Sequence, residues 1–574
     1  MIREEIKELI KESIIKLQKQ KEIPVFDIDE IKVEHSEQKI YGDYSANIAM
    51  IIAKKVKKNP IETAELLIEN FKDKIPDLFE RIKIVKPGFI NFFVSNKYLQ
   101  EQIKKIIKEK SKYVLNQTGK GKTIIVEYAH PNTHKIFHVG HLRNITNGEA
   151  IVRILETNGY KVIRANYQGD VGLHIAKCLW AMKKTTDLEK KIKGLENLDE
   201  KIEFLSKCYV DGTKAYEKDG REKKEISEIN KQIYNKDSRI KDLWKETRKW
   251  SLDYFEKIYK RVYTHFDRYY FESEVAEKGK DIVLKFKDAN IFIDSRGAII
   301  FPGSKYGLHD RVFVTKEGNP TYEAKDMELG RLQFKEYRPD LIIHNVGPEQ
   351  KEYFQVIFKA LSQAFPYTEN KERHLISGWV SLREGKMSSR KGVVIVGKWL
   401  IDEVKKRIKK SFKKVSNEAA EKIAVGAVKY SFLKNNPSTD IVFDINESIS
   451  LQGNSGPYLQ YSCVRANSVL TKSKENFKKI KNLELKEEQE ISLARILIMF
   501  PEFVKEAGRR YAPNLIANYL FELAQNFNSF YESLPILKAE NESIKRTRLA
   551  LVFVFSQVLK DGLSLLGILT PEKM

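Results

Sequence analysis

Thr123-Ile-Ile-Val-Glu-Tyr128-Ala-His-Pro-Asn132 runs into His138-Val-Gly-His141-Leu-Arg143-Asn144, and Lys161-Val-Ile-Arg164 follows. The first run is apolar and β-branched, as a buried strand is, and Pro131 stops it. Helical spacing then begins near His141 and continues through Ile151, Val152 and Leu155 before the second apolar run. Strand, tight loop, helix and strand make a βαβ unit, the building block of a parallel nucleotide-binding sheet. The turn from strand to helix offers free backbone N–H groups and a positive dipole end to phosphate. Gly140 there lets a nucleotide come close, and His138 and His141 add side-chain donors.

Outward from this unit, residues 1–112 mix helical periodicity with short strands such as Gly88-Phe-Ile-Asn-Phe-Phe93, and Gly119-Lys-Gly-Lys122 reads as a linker. Between about 183 and 270 the chain is dense in Lys and Glu at helical spacing, which predicts a helical insertion. Sheet-like runs resume at Ala298-Ile-Ile-Phe301, Arg311-Val-Phe-Val314 and Leu341-Ile-Ile-His344, and from Val396 onward the pattern is helical to Met574. The expected architecture is therefore α/β: a Rossmann-type parallel-sheet catalytic domain over 113–400 with the helical insertion. An N-terminal α+β domain over 1–112 and a C-terminal all-α bundle over 401–574 complete it.

The 574 residues carry a net charge of +23, which suits a phosphate-rich partner such as RNA, although Lys-rich solvated helices account for the charge equally well. Three cysteines, Cys178, Cys208 and Cys463, have no paired spacing for zinc or a disulfide framework, which points to a reducing compartment and no protein-bound zinc. The longest apolar run, near Leu549 to Phe555, falls far short of the ~18 residues of a membrane span, so a cytoplasmic protein without membrane contact is expected.

A second chemistry-bearing segment is Gly385-Lys386-Met387-Ser388-Ser389-Arg390-Lys391-Gly392, a glycine-bounded loop with three cations. Alone it reads as an exposed basic turn, and a lone His-x-Gly-His is weak evidence. Together and in this order the two segments resemble the HIGH and KMSKS signatures of class I aminoacyl-tRNA synthetases. The resemblance implies attack of an amino acid carboxylate on the α-phosphate of ATP, with Mg²⁺ accompanying the nucleotide, and transfer of the acyl group to tRNA. It assigns His138, His141 and Lys386 to catalysis, and Gly140, Met387, Ser388 and Lys391 with them to ATP binding. Ser389 stands in place of the second KMSKS lysine, as in arginyl enzymes, and whether Lys391 supplies the missing charge stays open.

Tyr322 and Asp326 are spaced to share a helix face. On spacing alone each candidate here, the Glu272-Ser273 pair included, reads as a surface charge or cap. Glu127-x4-Asn132, Glu272-Ser273 and Tyr322-x3-Asp326 nevertheless resemble the arginyl-tRNA synthetase pattern. By that resemblance Glu272, Tyr322 and Asp326 hold the guanidinium of L-arginine, while Glu127 and Asn132 line the opposite end. A pocket glutamine follows a Gln-x-x-His pattern in the family; here tyrosine takes the histidine place in Glu349-Gln350-Lys-Glu-Tyr353-Phe-Gln355. Gln355 is preferred, with Gln350 as the alternative.

The resemblance extends to both ends. Gly42-Asp43-Tyr-Ser-Ala-Asn47 is similar to the family's domain for the tRNA elbow, with Asn47 as its contact. Gly456-Pro-Tyr458-Leu-Gln-Tyr461-Ser-Cys-Val-Arg465 is similar to its anticodon-binding domain, with Tyr458, Tyr461 and Arg465 on one helical stripe suited to unstacked bases. The partners so implied are tRNA(Arg) and L-arginine, and the family suggests a monomer. A class I synthetase for another amino acid and a catalytically silent tRNA-binding paralogue remain the alternatives.

Overall fold

The first strand, β1 (Thr123–Glu127), is buried on both faces, as a central parallel strand must be. Ile124 and Val126 pack on one side with Leu142, Ile145 and Leu155 of helix α1 (Val139–Thr157). Ile125 packs on the other with Ile163 and Ala165 of β2 (Lys161–Gln168) and Tyr270 of β3 (Arg268–Phe271). The chain continues through α2 (Glu272–Lys287), α3 (Tyr322–Tyr337), β4 (Leu341–Val346), α4 (Lys351–Ala364) and β5 (Glu372–Ile376). The five strands are all parallel in the order β5-β4-β1-β2-β3. The order reverses between β1 and β4, and the crevice beyond the strand ends at such a switch point is where α/β sheets bind ligands. Gly148 sets the approach of α1 to the sheet, because a Cβ there would fall 2.3 Å from the Tyr128 ring.

The computed structural model describes residues 1–28, 30–36, 39–71, 75–218, 220–383, 395–473 and 483–574. By contacts the chain forms two units, one of 116–460, 507–517 and 563–574, the other of 1–115, 461–506 and 518–562. The first unit holds the parallel sheet and, between β2 and β3, the helices Leu173–Lys183, Leu188–Lys193, Leu198–Glu217, Arg221–Tyr234 and Ser238–Arg261 around their own core of Leu179, Leu205, Ile226 and Trp250.

Only one of the three later sheet-like runs joins the parallel sheet. Ala298–Phe301 and Arg311–Val314 pair antiparallel with each other, and Ile293–Ser295 adds to the first of them. The cause is local: Arg296 and Gly297 have φ of 52° and 83°, a two-residue turn that folds the chain straight back into a hairpin.

In the second unit a four-stranded antiparallel sheet, ordered Val33–His35, Tyr44–Ala46, Phe89–Val94 and Phe79–Val85, packs with N-terminal helices. Two buried carboxylates tie it to Glu488–Arg510. Glu502 accepts from Arg3 N (3.0 Å) and the Tyr44 hydroxyl (3.2 Å), and Asp43 accepts from Val94 N (2.7 Å) with Arg495 Nε at 3.2 Å. Asp43 and Tyr44, quoted above within an elbow-contact motif, are thus spent on internal packing.

Candidate active site

The loop after β1 turns through two left-handed residues, Ala129 (φ 81°) and His130 (φ 49°), a strained conformation that persists only where neighbours enforce it. Asn144 does so: its Oδ1 accepts from Ala129 N at 2.6 Å, and its Nδ2 donates to Asn345 O, while Asn345 Nδ2 donates to Asn144 O at 2.9 Å. One helical polar residue thereby joins the ends of β1 and β4.

His138 caps α1. Gly140 N–H donates to His138 Nδ1 (3.1 Å), and His138 N–H donates to His141 Nδ1 (3.2 Å), with the two rings stacked 3.7 Å apart. An Nδ1 that accepts carries no proton, so each neutral ring keeps its proton on Nε2, which has no hydrogen-bond partner among the described residues. Both rings are neutral at pH 7: burial, then the Lys135 charge, pulls His138 down to about 4, and burial with its histidine neighbours holds His141 well below its usual range. Gly140 is required by this cap, since a Cβ would lie 2.9 Å from the His138 ring. The backbone donors expected to be free are partly used, with Val139 N given to Ile395 O at 2.8 Å.

The chain on both sides of 384–394 is pinned to this turn. Gly397 N donates to Phe137 O at 2.9 Å. Arg143, fully buried, donates to Trp379 O (2.8 Å), Pro437 O (3.0 Å) and Thr439 O (2.5 Å). Lys386, Met387, Ser388 and Lys391 themselves lie outside the described residues.

Beyond the carboxyl ends of β1 and β4 opens a cavity of about 440 Å³, lined by Glu127, Tyr322, Asp326, His344, Gln350 and Tyr353 among others. Glu127 is fully engaged: Gln333 Nε2 donates to its Oε2 (2.5 Å), and His344 Nδ1 lies 3.1 Å from its Oε1. His344 sits between Glu127 and Glu372, whose oxygen is 3.5 Å from Nε2. Burial alone would lower that imidazole, but the two carboxylates push it up to about 10, so it is charged. Asp326 differs. Burial pushes its carboxyl up to about 8 against the bond it accepts from the Tyr353 hydroxyl (2.6 Å), and it has no ion pair among the described residues. A buried carboxyl lacking a cation is poorly solvated until one arrives.

Tyr322, 55% exposed, and Asp326 share a wall of the cavity from one face of α3, as their spacing predicts. Glu272 does not line it. At the start of α2, Glu272 is buried and takes Lys325 Nζ on Oε2 at 2.6 Å. Its Oε1 faces Gly169, where a Cβ would meet it at 3.1 Å and Asn132 Oδ1 at 2.0 Å. Asn132, Gly169 and Glu272 thus form a second cluster. Of the two glutamines left open by the sequence, Gln355 is exposed on α4 and does not line the cavity, whereas Gln350, three residues before Tyr353, does. Lys325, His344, Tyr353 and Glu372 were missed by sequence reasoning as site residues, because a single histidine, lysine or glutamate within an element carries no signal of its tertiary partner.

In the other unit Arg465 lies over the rings of Tyr461 (5.0 Å) and Tyr531 (5.1 Å) and donates to Asn528 Oδ1 at 3.1 Å. Tyr461 and Arg465 are therefore brought together, with Tyr531 as an unforeseen member. Tyr458 falls in the first unit and is half-buried. Asn47 precedes the helix Ile48–Val56, and its side chain makes no capping bond.

Residues 102–445 match the model for tRNA synthetases class I (R), catalytic domain; 4–94 match the arginyl tRNA synthetase N terminal domain, and 459–574 the DALR anticodon binding domain. The chain is 34% identical to the arginine–tRNA ligase of Fusobacterium nucleatum, covering 93% of this chain and 94% of that one. It is 33% identical to that of Halothermothrix orenii over 98% and 99% of the two chains. Its fold is that of Thermus thermophilus arginyl-tRNA synthetase, with a TM-score of 0.80 at 24% identity over both whole chains. With a catalytic-domain match over more than half its length and relatives above 30% identity end to end, the chain belongs to the class I arginyl-tRNA synthetases, the ATP-using arginine–tRNA ligases.

Proposed function

We propose that the His138–His141 turn takes the ATP phosphates and that the Asp326 cavity selects arginine, so that the two together form arginyl-adenylate. The observation that carries this reading is Asp326, a buried carboxyl facing a 440 Å³ cavity without an ion pair among the described residues. A planar guanidinium supplies the missing charge and paired donors in one group. Asp326 and Tyr322 hold that end. Gln350 and the Glu127–His344 pair line the cavity beyond it, and Asn132 with the free oxygen of Glu272 borders the adjoining wall.

In the first step an oxygen of the arginine carboxylate bonds to the α-phosphorus of ATP as the bond to the β-phosphate bridging oxygen breaks, releasing pyrophosphate. Negative charge grows on the phosphate oxygens, where the Nε2–H groups of His138 and His141 and the ammonium of Lys386 donate. In the second step a hydroxyl of the terminal ribose of tRNA attacks the acyl carbon, and AMP leaves. Mg²⁺ accompanies ATP through the nucleotide's own phosphates.

The division of labour follows 1–112 for the tRNA elbow through Asn47, 113–400 for catalysis with the insertion at 183–270, and 401–574 for the anticodon through Tyr458, Tyr461 and Arg465. The enzyme works as a cytoplasmic monomer. No helix among the described residues is long and apolar enough to cross a membrane. Pyrophosphate exchange with each of the amino acids, with and without tRNA(Arg), tests the reading. Exchange with arginine alone is expected, and exchange with any other amino acid, or none at all, rejects it.

A further inference from the structure

Tyr353 stands where the family pattern has histidine, and its contacts give it a role in the arginine cavity. Its hydroxyl reaches from α4 to α3 and donates to Asp326 Oδ2 at 2.6 Å, while Asp326 Oδ1 receives no hydrogen bond among the described residues. The ring itself is held in place. It meets Phe354 edge-on at 5.3 Å and 87°, and the Arg311 guanidinium lies 5.3 Å from its centroid, anchored in turn by a bond to Glu323 Oε1 at 3.2 Å. A phenol so fixed holds one oxygen of the carboxylate and leaves the other for a ligand.

We infer that Tyr353 is a positioning residue for arginine recognition, fixing Asp326 so that its second oxygen meets the substrate guanidinium. The inference rests on the reading that Asp326 receives that group. The charges that face Asp326 come from several elements: Glu127 of β1, His344 of β4 and Glu272 of α2, with the Tyr167 phenol of β2 beside them. Burial raises the Asp326 carboxyl and Glu127 raises it further, whereas the Tyr353 bond and His344 lower it, to a balance of about 8. Arginine binds the ionised carboxylate. The KM for arginine therefore falls as pH rises toward that value and levels off above it, and loss of the phenol moves the levelling to higher pH.

The test is steady-state aminoacylation of tRNA(Arg) across pH 6.5–9.5 with the wild type, Tyr353→Phe, Tyr353→His and Asp326→Asn. For Tyr353→Phe the expected result at neutral pH is a KM for arginine raised about tenfold, the loss of one hydrogen bond to a charged group. The KM for ATP should be unchanged, and the levelling point should move up by about one pH unit. Tyr353→His, which restores a donor, should recover most of both effects. Asp326→Asn separates the two layers. If that variant keeps wild-type arginine affinity, the reading of Asp326 fails and the inference with it. If Asp326→Asn raises the KM while Tyr353→Phe keeps the wild-type KM and pH profile, the inference alone is overturned. A Tyr353→Phe variant that melts lower with an unmoved pH profile marks a merely structural tyrosine and also overturns it.

Discussion

Lys325 and Glu272 offer a sharp test of how the buried charges of α2 and α3 beside the cavity are balanced. Their Nζ and Oε2 are 2.6 Å apart, with both side chains 5% exposed or less. At an effective dielectric near 20 that separation gives about 6 kcal/mol of attraction, set against a desolvation penalty of several kcal/mol for each ion. The pair is thus close to neutral as a pair and costly to break. Lys325→Met gives up the ammonium's contact with the Tyr322 ring, 4.8 Å from Nζ, and leaves Glu272 as an uncompensated buried carboxylate, for a loss of about 3–5 kcal/mol. Glu272→Gln strands the ammonium at a similar cost. The double variant removes both charges and should return to within about 1–2 kcal/mol of wild type, giving a coupling energy of at least ~4 kcal/mol of opposite sign to the single losses. Urea unfolding of the four proteins, followed by tryptophan fluorescence, measures it. Additive losses, with the double variant weaker than either single one, would refute the claim that Lys325 is the charge partner of Glu272.

Two further predictions concern the registers. Gln350→Ala should raise the KM for arginine several-fold at little cost to ATP affinity, about the loss of one polar contact, whereas Gln355→Ala should leave both constants at wild-type values. Aminoacylation kinetics of the two variants decide between the positions, and the opposite pattern restores Gln355. Lys386→Ala should slow adenylate formation by about 10² to 10³, read as single-turnover burst amplitude and rate, because a donor to developing phosphate charge is lost. An unchanged burst rate removes Lys386 from the mechanism.

Much of the catalytic unit could be read along single elements. The βαβ unit at 123–164, the α3 face carrying Tyr322 and Asp326, and the helical character of the insertion each follow from spacing within one segment, which is what sequence periodicity encodes. The hairpin at 293–301 was not separated from the parallel sheet, because its strands look like any others and only the Arg296-Gly297 turn marks the reversal. The glutamine register is not legible in the sequence for a related reason. Gln350 precedes α4 and Gln355 lies within it, so which of them reaches the cavity depends on how α4 is rotated against the sheet, a tertiary quantity.

The same limit, and its physical origin, is clearest at Glu272. Its Oε2 is paired with the residue immediately before Asp326, and this depends on how closely α2 and α3 approach. Gly279 sets that approach: a Cβ there would fall 2.1 Å from Ala324 O and 3.1 Å from the Lys325 Cα. Glu272 and Gly279 are seven residues apart, two turns along one face of α2, so the contact that admits the Ala324–Lys325 backbone also turns Lys325 toward Glu272. Adjacent residues on a helix point about 100° apart, so the rotation of α3 that gives Lys325 to Glu272 gives Asp326 to the cavity. One glycine on a neighbouring helix thereby bears on which of two carboxylates is paired within the protein and which faces the cavity.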